Sequence, residues 1–392
     1  MVKTGLDRLR EEDFRPLRGL RLGLICNQTS VGRDLRHLAD MLAGRSDLTL
    51  VRLFGPEHGI RGAAQDMISV EGLARDGHTG LPVVSLYGTG ADSLAPRPQD
   101  LDGLDALVFD IQDVGARYYT YVWTMALAME AAGRKGLGFF VLDRPNPIGG
   151  HLVEGPLLDA GFESFVGLHP LPVRHGMTAG EIAGWLRGER KVSVDLRVIE
   201  MNGWRRTMAA TELGQPWVPP SPNMPTPDTA LVYPGQCLLE GTEVSEGRGT
   251  TRPFEIFGAP YVEPYALASA VESEGLTGVK LRPLYFSPTF HKFAGQSCGG
   301  LMLHVLDPHE FRPFETGVAV VKAIHDLWPD RFGFREKAYE FVDHIPAFDL
   351  LCGSARIREG VVGGVPLPRL RDVWQAETRQ FMSIRERYLR YA

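Results

Sequence analysis

The strongest restriction on the fold is a series of short apolar runs: RLGLICN (21–27), LTLVRLFG (48–55), LPVVSLYG (81–88), ALVFDIQD (106–113) and LGFFVLDRPNP (137–147). They are short and nearly continuous rather than alternating, the pattern of strands buried on both faces. Two of the intervals carry helical periodicity. DLRHLADMLAG (34–44) and TYVWTMALAMEAAGRKG (120–136) place apolar residues at i, i+3 and i+4, and the second ends in Gly133, Lys135 and Gly136 as a helix stop does. Buried strands alternating with helices require a mainly parallel sheet covered on both sides, so the chain is expected to open with a Rossmann-like, doubly wound α/β domain. TAGEIAGWLRG (178–188) and VDLRVIEM (194–201) add a further helix and strand, which carries this domain over residues 1–210.

The stretch WVPPSPNMPTPD (217–228) holds five prolines in twelve residues, which suits a linker or a loop lining a cleft rather than a helix or central strand. Residues 211–392 then read as a smaller α+β domain. Its candidate strands are VKLRPLYF (279–286) and GGLMLHVLD (299–307), with helices at GVAVVKAIHDLWP (317–329) and around 373–391. With 392 residues and 44% hydrophobic content there is ample material for such cores. Net charge is -6 and the 42 Lys and Arg are scattered, so no basic stripe invites nucleic acid or an anionic membrane. Cys26, Cys237, Cys298 and Cys352 are far apart without CxxC spacing, the usage of reduced thiols. The opening MVKTGLDRLREEDFRPLRG lacks an apolar export segment, and no run nears the ~18 apolar residues of a membrane span. A cytoplasmic protein is the expectation.

In an open α/β sheet, ligands bind beyond the carboxyl ends of the strands. Polar residues collect there: Asn27 and Gln28 after the first run, Glu57 and His58 in FGPEHGIRG after the second, and Asp110, Gln112 and Asp113 with Arg117 and Tyr119 around the fourth. The fifth contributes Asp143, Arg144 and Asn146. Any one of these could be a turn or cap residue, but four loops on one rim point to a site. GxGxxG is missing after the first run, which continues CNQTSVGRD, and GxxxxGK[ST] is missing altogether, so a nucleotide is not expected. His58, His151, His169 and His175 lack HxxxH or HxH spacing, and GxSxG is absent, which disfavours a metal centre and acyl transfer. No cofactor is called for.

What remains is carboxylate chemistry beside sugar-binding side chains. Glycoside hydrolysis needs one carboxyl group to protonate the leaving oxygen and usually a second to activate water or attack the anomeric carbon. Glu57 follows a buried strand in a tight turn, and burial favours the protonated form that an acid requires. His58 could orient or discharge it; a plain turn carboxylate is the competing reading.

The motifs FGPEHGIRG, VFDIQDVGARYYTYVWTMALAMEAA, VLDRPNPIGG, RHGMTAGE, PPSPNMPT and YPGQCLLEGTEVSEGRGTTRPFE closely resemble those of the NamZ-type exo-β-N-acetylmuramidases, glycoside hydrolase family 171. The resemblance runs from about residue 20 to the C-terminus. It implies an exo-acting enzyme that removes N-acetylmuramic acid from the non-reducing end of peptidoglycan fragments, with a cleft between a Rossmann-like domain and a smaller one. Disaccharides or muropeptides from peptidoglycan are then the partners; a non-catalytic muropeptide sensor using the same cleft is the alternative. The family's catalytic glutamate falls on Glu57, and a second on Glu130 in AMEAA. Helical rise argues against Glu130, which would lie about 15 Å along a helix starting near Thr120, so Asp110, Asp113, Glu243 and Glu246 stand in reserve. The substrate's lactyl carboxylate calls for a forked, permanently charged donor, with Arg117, Arg144 and Arg248 as candidates. Asn27, Gln112, Asn146 and Asn223 would meet N-acetyl and hydroxyl groups, Glu246 would join the binding set, and Tyr119 or Trp217 would stack on a sugar face. Many relatives resemble exported or lipid-anchored proteins, whereas this chain is expected to recycle imported muropeptides in the cytoplasm.

Overall fold

The computed structural model describes residues 1–62 and 75–392. Strands β1 (Arg21–Cys26), β2 (Thr49–Gly55), β3 (Val83–Ser85), β4 (Ala106–Asp110), β5 (Gly138–Leu142) and β6 (Asp195–Ile199) form one sheet in the order β3-β2-β1-β4-β5-β6. Every pairing is parallel. This is the strand order of doubly wound dinucleotide-binding folds, reached here without their glycine motif. β4 is buried throughout, and β1 and β5 except at their first residue, whereas the edge strand β6 shows residues to solvent.

Successive strand residues face opposite sides, which explains the apolar runs. Leu107, Phe109, Phe139 and Val141 pack with α3 (Tyr121–Arg134) and α4 (Ala179–Glu189) in one core. Val108, Phe140, Leu22 and Leu24 pack with α1 (Gly5–Glu11) and α2 (Leu38–Ala43) in another. α4 starts sharply because Thr178 accepts from the Glu181 N–H while the Glu181 carboxylate accepts from the Thr178 N–H.

A second, antiparallel sheet has the order β7-β9-β8, with β7 (Ile256–Ala259), β8 (Val279–Phe286) and β9 (Cys298–Val305). Around it lie α5 (Pro227–Gln236), α6 (Pro264–Glu272), α7 (Pro313–Leu327), α8 (Ala347–Cys352), α9 (Arg356–Val362) and α10 (Leu367–Arg385). α5 begins inside the proline-rich stretch. Pro227 occupies the first helical position, where its missing N–H costs nothing, and Thr226 caps the helix by accepting from Thr229. α5 and α7 cross in close contact at Gly235 and Gly317, where a Cβ on either would strike the other helix's backbone. Among the described residues no helix is long and apolar enough to cross a membrane.

The hydrophobic core does not stop at the proline-rich crossing. One continuous cluster holds Trp123 and Ile182 from the first half together with Leu238, Phe314 and Trp374 from the second. The chain's end returns as well. Tyr391 Oη donates to Asp143 at 2.6 Å, Arg385 Nη1 donates to the Gly150 and Gly176 carbonyls at 3.0 and 2.9 Å, and the Arg206 N–H donates to the Ala392 carbonyl.

Candidate active site

β2 ends at Gly55, and the chain turns at once through Pro56, Glu57, His58 and Gly59, closed by the Gly59 N–H on the Pro56 carbonyl. His58 and Gly59 both take the left-handed conformation, with φ of 68° and 78°. Glycine adopts it freely, whereas a histidine there signals a backbone held by its surroundings. The turn leaves Glu57 and His58 buried. Glu57 Oε2 accepts a hydrogen bond from Thr120 Oγ1 at 2.8 Å, and Thr120 is the N-cap of α3. The N-terminus of a fourteen-residue helix therefore stands beside Glu57.

Tyr118, Tyr119 and Tyr121 line the same cleft from the segment entering α3, and Tyr233 and Phe254 face them from the second half. Edge-on contacts join these rings, with centroids 5.0 Å apart for Tyr119 and Tyr121, 5.6 Å for Tyr119 and Tyr233, and 4.9 Å for Tyr233 and Phe254. Glu240, Arg248, Tyr339 and Glu340 complete the lining. Arg248 Nη2 donates to Glu240 Oε1 at 2.6 Å, Tyr339 Oη to Glu240 Oε2 at 2.7 Å, and the guanidinium lies 5.2 Å from the Phe254 centroid. Tyr87 Oη donates to Glu340 at 3.1 Å.

Behind this wall Glu246 lies among basic side chains: Lys292 Nζ at 2.9 Å, His291 Nδ1 at 3.1 Å and Arg248 Nε at 3.2 Å. Burial pushes its carboxyl up, but Lys292, His291 and Arg248 outweigh burial and hold it well below the usual carboxylate range.

The predicted residues divide by location. Glu57, His58, Tyr119 and Arg248 come together in the cleft. Glu130 does not: it lies near the far end of α3, partly exposed, with Arg134 3.7 Å away, because helical rise carries it away from the cleft. Arg117 is fully buried and donates to the Pro156, Leu171 and Leu351 carbonyls at 2.7, 2.8 and 2.8 Å, so it ties backbone together rather than facing the cleft. Burial pushes that guanidinium down to about 10. Arg144 clasps Asp110 through two hydrogen bonds, at 2.5 and 2.9 Å, and both are buried. Gln112 donates to the Asp113 and Pro145 carbonyls, and Asn146 pins a turn through the Met177 carbonyl and the Ile148 N–H. Glu246 anchors Arg248 rather than lining the cleft. Trp217 borders a separate hollow with Gln112 and Arg144, its indole N–H on the Met224 carbonyl. Asn27, Asp113 and Asn223 are buried on the loops after β1 and β4 and in the proline-rich segment. Sequence reasoning missed Thr120, Tyr121, Tyr233, Glu240, Phe254, Tyr339 and Glu340. Glu240 was legible in outline, since it shares the LLEGTEVSEGRG stretch with Arg248. Glu340 reaches the cleft through a turn with positive φ at 340 and 341 that no local pattern announces.

Comparison with known proteins bears on the whole chain. The family described as exo-beta-N-acetylmuramidase NamZ matches in two parts, its N-terminal model over residues 22–228 and its C-terminal model over 231–391. The peptidoglycan beta-N-acetylmuramidase NamZ of Bacillus subtilis (strain 168) is 44% identical over 390 residues, covering 100% of this chain and 91% of that protein. Crystal structures of two DUF1343 family proteins from Bacteroides fragilis superpose with TM-scores of 0.90 and 0.79 at 37% and 30% identity, covering 100% of this chain and 99% of each. A doubly wound sheet without a nucleotide motif, a buried glutamate at a strand's end and a match running through both halves lead to one assignment: this chain belongs to the NamZ exo-β-N-acetylmuramidase family.

Proposed function

We propose that the cleft hydrolyses the β-glycosidic bond of a non-reducing terminal N-acetylmuramic acid in peptidoglycan fragments, with Glu57 protonating the departing oxygen. The observation that carries this reading is the buried Glu57, fixed by Thr120 at the positive end of α3 and opposed by an aromatic wall from the second half. A proton donor in a half-apolar cleft beside sugar-sized aromatic faces suits glycoside hydrolysis. For a second carboxyl group the cleft offers Glu240 and Glu340 in place of Glu130. Arg248 is the candidate for the lactyl carboxylate, because it lines the cleft whereas Arg117 and Arg144 lie outside it. The substrates we infer are peptidoglycan-derived disaccharides or muropeptides. We place the reaction in the cytoplasm as part of cell-wall recycling, a setting that fits four buried free thiols; cell fractionation tests that placement.

The direct test compares a chromogenic β-N-acetylmuramide with the matching N-acetylglucosaminide. Wild type should cleave the muramide alone, and Glu57→Gln should lose at least about a hundredfold in kcat, the scale of lost general acid catalysis. Binding of a disaccharide without cleavage by wild type would instead establish a muropeptide sensor.

A further inference from the structure

A threonine at the N-cap of a helix ordinarily spends its hydroxyl on that helix, accepting a backbone N–H from the first turn. Among the described residues, threonine stands at the N-cap of α1, α3, α4 and α5. Three of them behave this way. Thr4 accepts from Asp7, Thr178 from Glu181 and Thr226 from Thr229, each with extended backbone at ψ of 169°, 166° and 161°. Thr120 does not: its backbone is already helical, at φ −63° and ψ −15°, its side chain makes no cap bond, and Oγ1 donates instead to Glu57 Oε2 at 2.8 Å. Both residues are buried and both line the cleft.

The segment around this hydroxyl is braced. Trp123 Nε1 donates to the Arg117 carbonyl at 2.7 Å, and the Trp123 and Thr124 N–H groups close on the Thr120 carbonyl, both at 3.0 Å. The Arg117 N–H donates to the Val173 carbonyl at 2.8 Å, and Tyr121 Oη to the Pro220 carbonyl at 2.5 Å. Chain on either side of Thr120 is thereby tied to two distant segments, so the donor is in place before any substrate arrives.

We propose that Thr120 is a positioning residue for the acid step, fixing Glu57 Oε2 as the oxygen that carries no proton and stabilising the carboxylate as the proton leaves Oε1. A hydroxyl has a single proton to give; given to Oε2, it leaves Oε1 to carry the acid's own. Before transfer the bond runs to a neutral carboxyl. After transfer it runs to a carboxylate, where such bonds are roughly twice as strong. The gain therefore falls in the transition state rather than the ground state, which is what accelerates a reaction. In that step the Oε1 proton passes to the glycosidic oxygen as its bond to the anomeric carbon breaks, the bonding pair stays with that oxygen, and water or the second carboxyl group meets the anomeric carbon. Thr120 keeps its proton throughout. The inference rests on the muramidase reading, with Glu57 as the acid.

The test is kcat/KM against pH on a muramyl disaccharide, whose departing sugar needs protonation. A hydrogen bond to the ionised form of a carboxyl group favours that form, so losing the bond keeps the acid protonated to higher pH. Thr120→Val should be slower than wild type by about tenfold below the alkaline limb of the profile. Its limb should lie at higher pH, so the deficit shrinks as pH rises. Thr120→Ser keeps the hydroxyl and should restore the wild-type limb, with a rate within a few fold of wild type. A Thr120→Val profile lowered evenly, its limb unmoved, overturns the inference and spares the muramidase reading; so does a Thr120→Ser protein no faster than Thr120→Val. Should the valine protein not fold, Thr120→Ala against Thr120→Ser makes the same comparison. Failure of wild type to cleave the disaccharide removes the muramidase reading and this inference with it.

Discussion

Glu246 illustrates how a charged side chain next to a substrate cleft can serve the scaffold. It is fully buried among Lys292, His291 and Arg248, so removing it leaves cations uncompensated, at a cost of about 3–5 kcal/mol. Its folded pKa is depressed, so its ionisation contributes stability that is present above the unfolded value near 4.5 and lost as pH falls towards the lower folded value. Urea unfolding should therefore show Glu246→Gln less stable than wild type near neutral pH, with the margin narrowing as pH falls below about 4.5. A margin independent of pH down to 3 would refute the ionic account. At this scale the sequence revealed what depends on chain neighbours: the strand-end position of Glu57 and the turn at His58 are both written in FGPEHG. It did not reveal which of three arginines meets the cleft. Arg117, Arg144 and Arg248 all stand beside turn residues, and only their distant partners, the Leu351 carbonyl, Asp110 and Glu240, separate them.

Elements were more legible than residues, for a physical reason. A buried parallel strand must be apolar on both faces, which leaves an unmistakable run, so β1, β4 and β5 of the large sheet stand out. β7 is four residues long and α5 contains Pro234, so neither carries a periodic signature. The join between elements was invisible. Arg117, on the loop entering α3, holds the Leu351 carbonyl of α8 across 234 residues of chain. Arg117→Met keeps much of the volume but orphans three buried carbonyls, so we expect a loss of about 3 kcal/mol in denaturant unfolding. Turnover per folded molecule should stay near wild type, because this side chain lies outside the cleft; a fall in kcat with unchanged stability would show that its role had been misread.

Across the whole molecule, the two sheets share one apolar core, and the C-terminal tail is fastened to the loops beside β5 and α4. Calorimetry should accordingly record one unfolding transition rather than one for each sheet, and shortening the chain after Met382 should lower the melting temperature of the entire protein. Two separate transitions would contradict the shared core. The same continuity has a practical corollary. The proline-rich segment is a covalent bridge between halves that are already joined by buried apolar surface, so cutting the peptide chain there should leave a nicked enzyme that copurifies and keeps its activity. Expressed as two pieces, the protein becomes a candidate for fragment complementation, with restored muramidase activity reporting that the pieces have met.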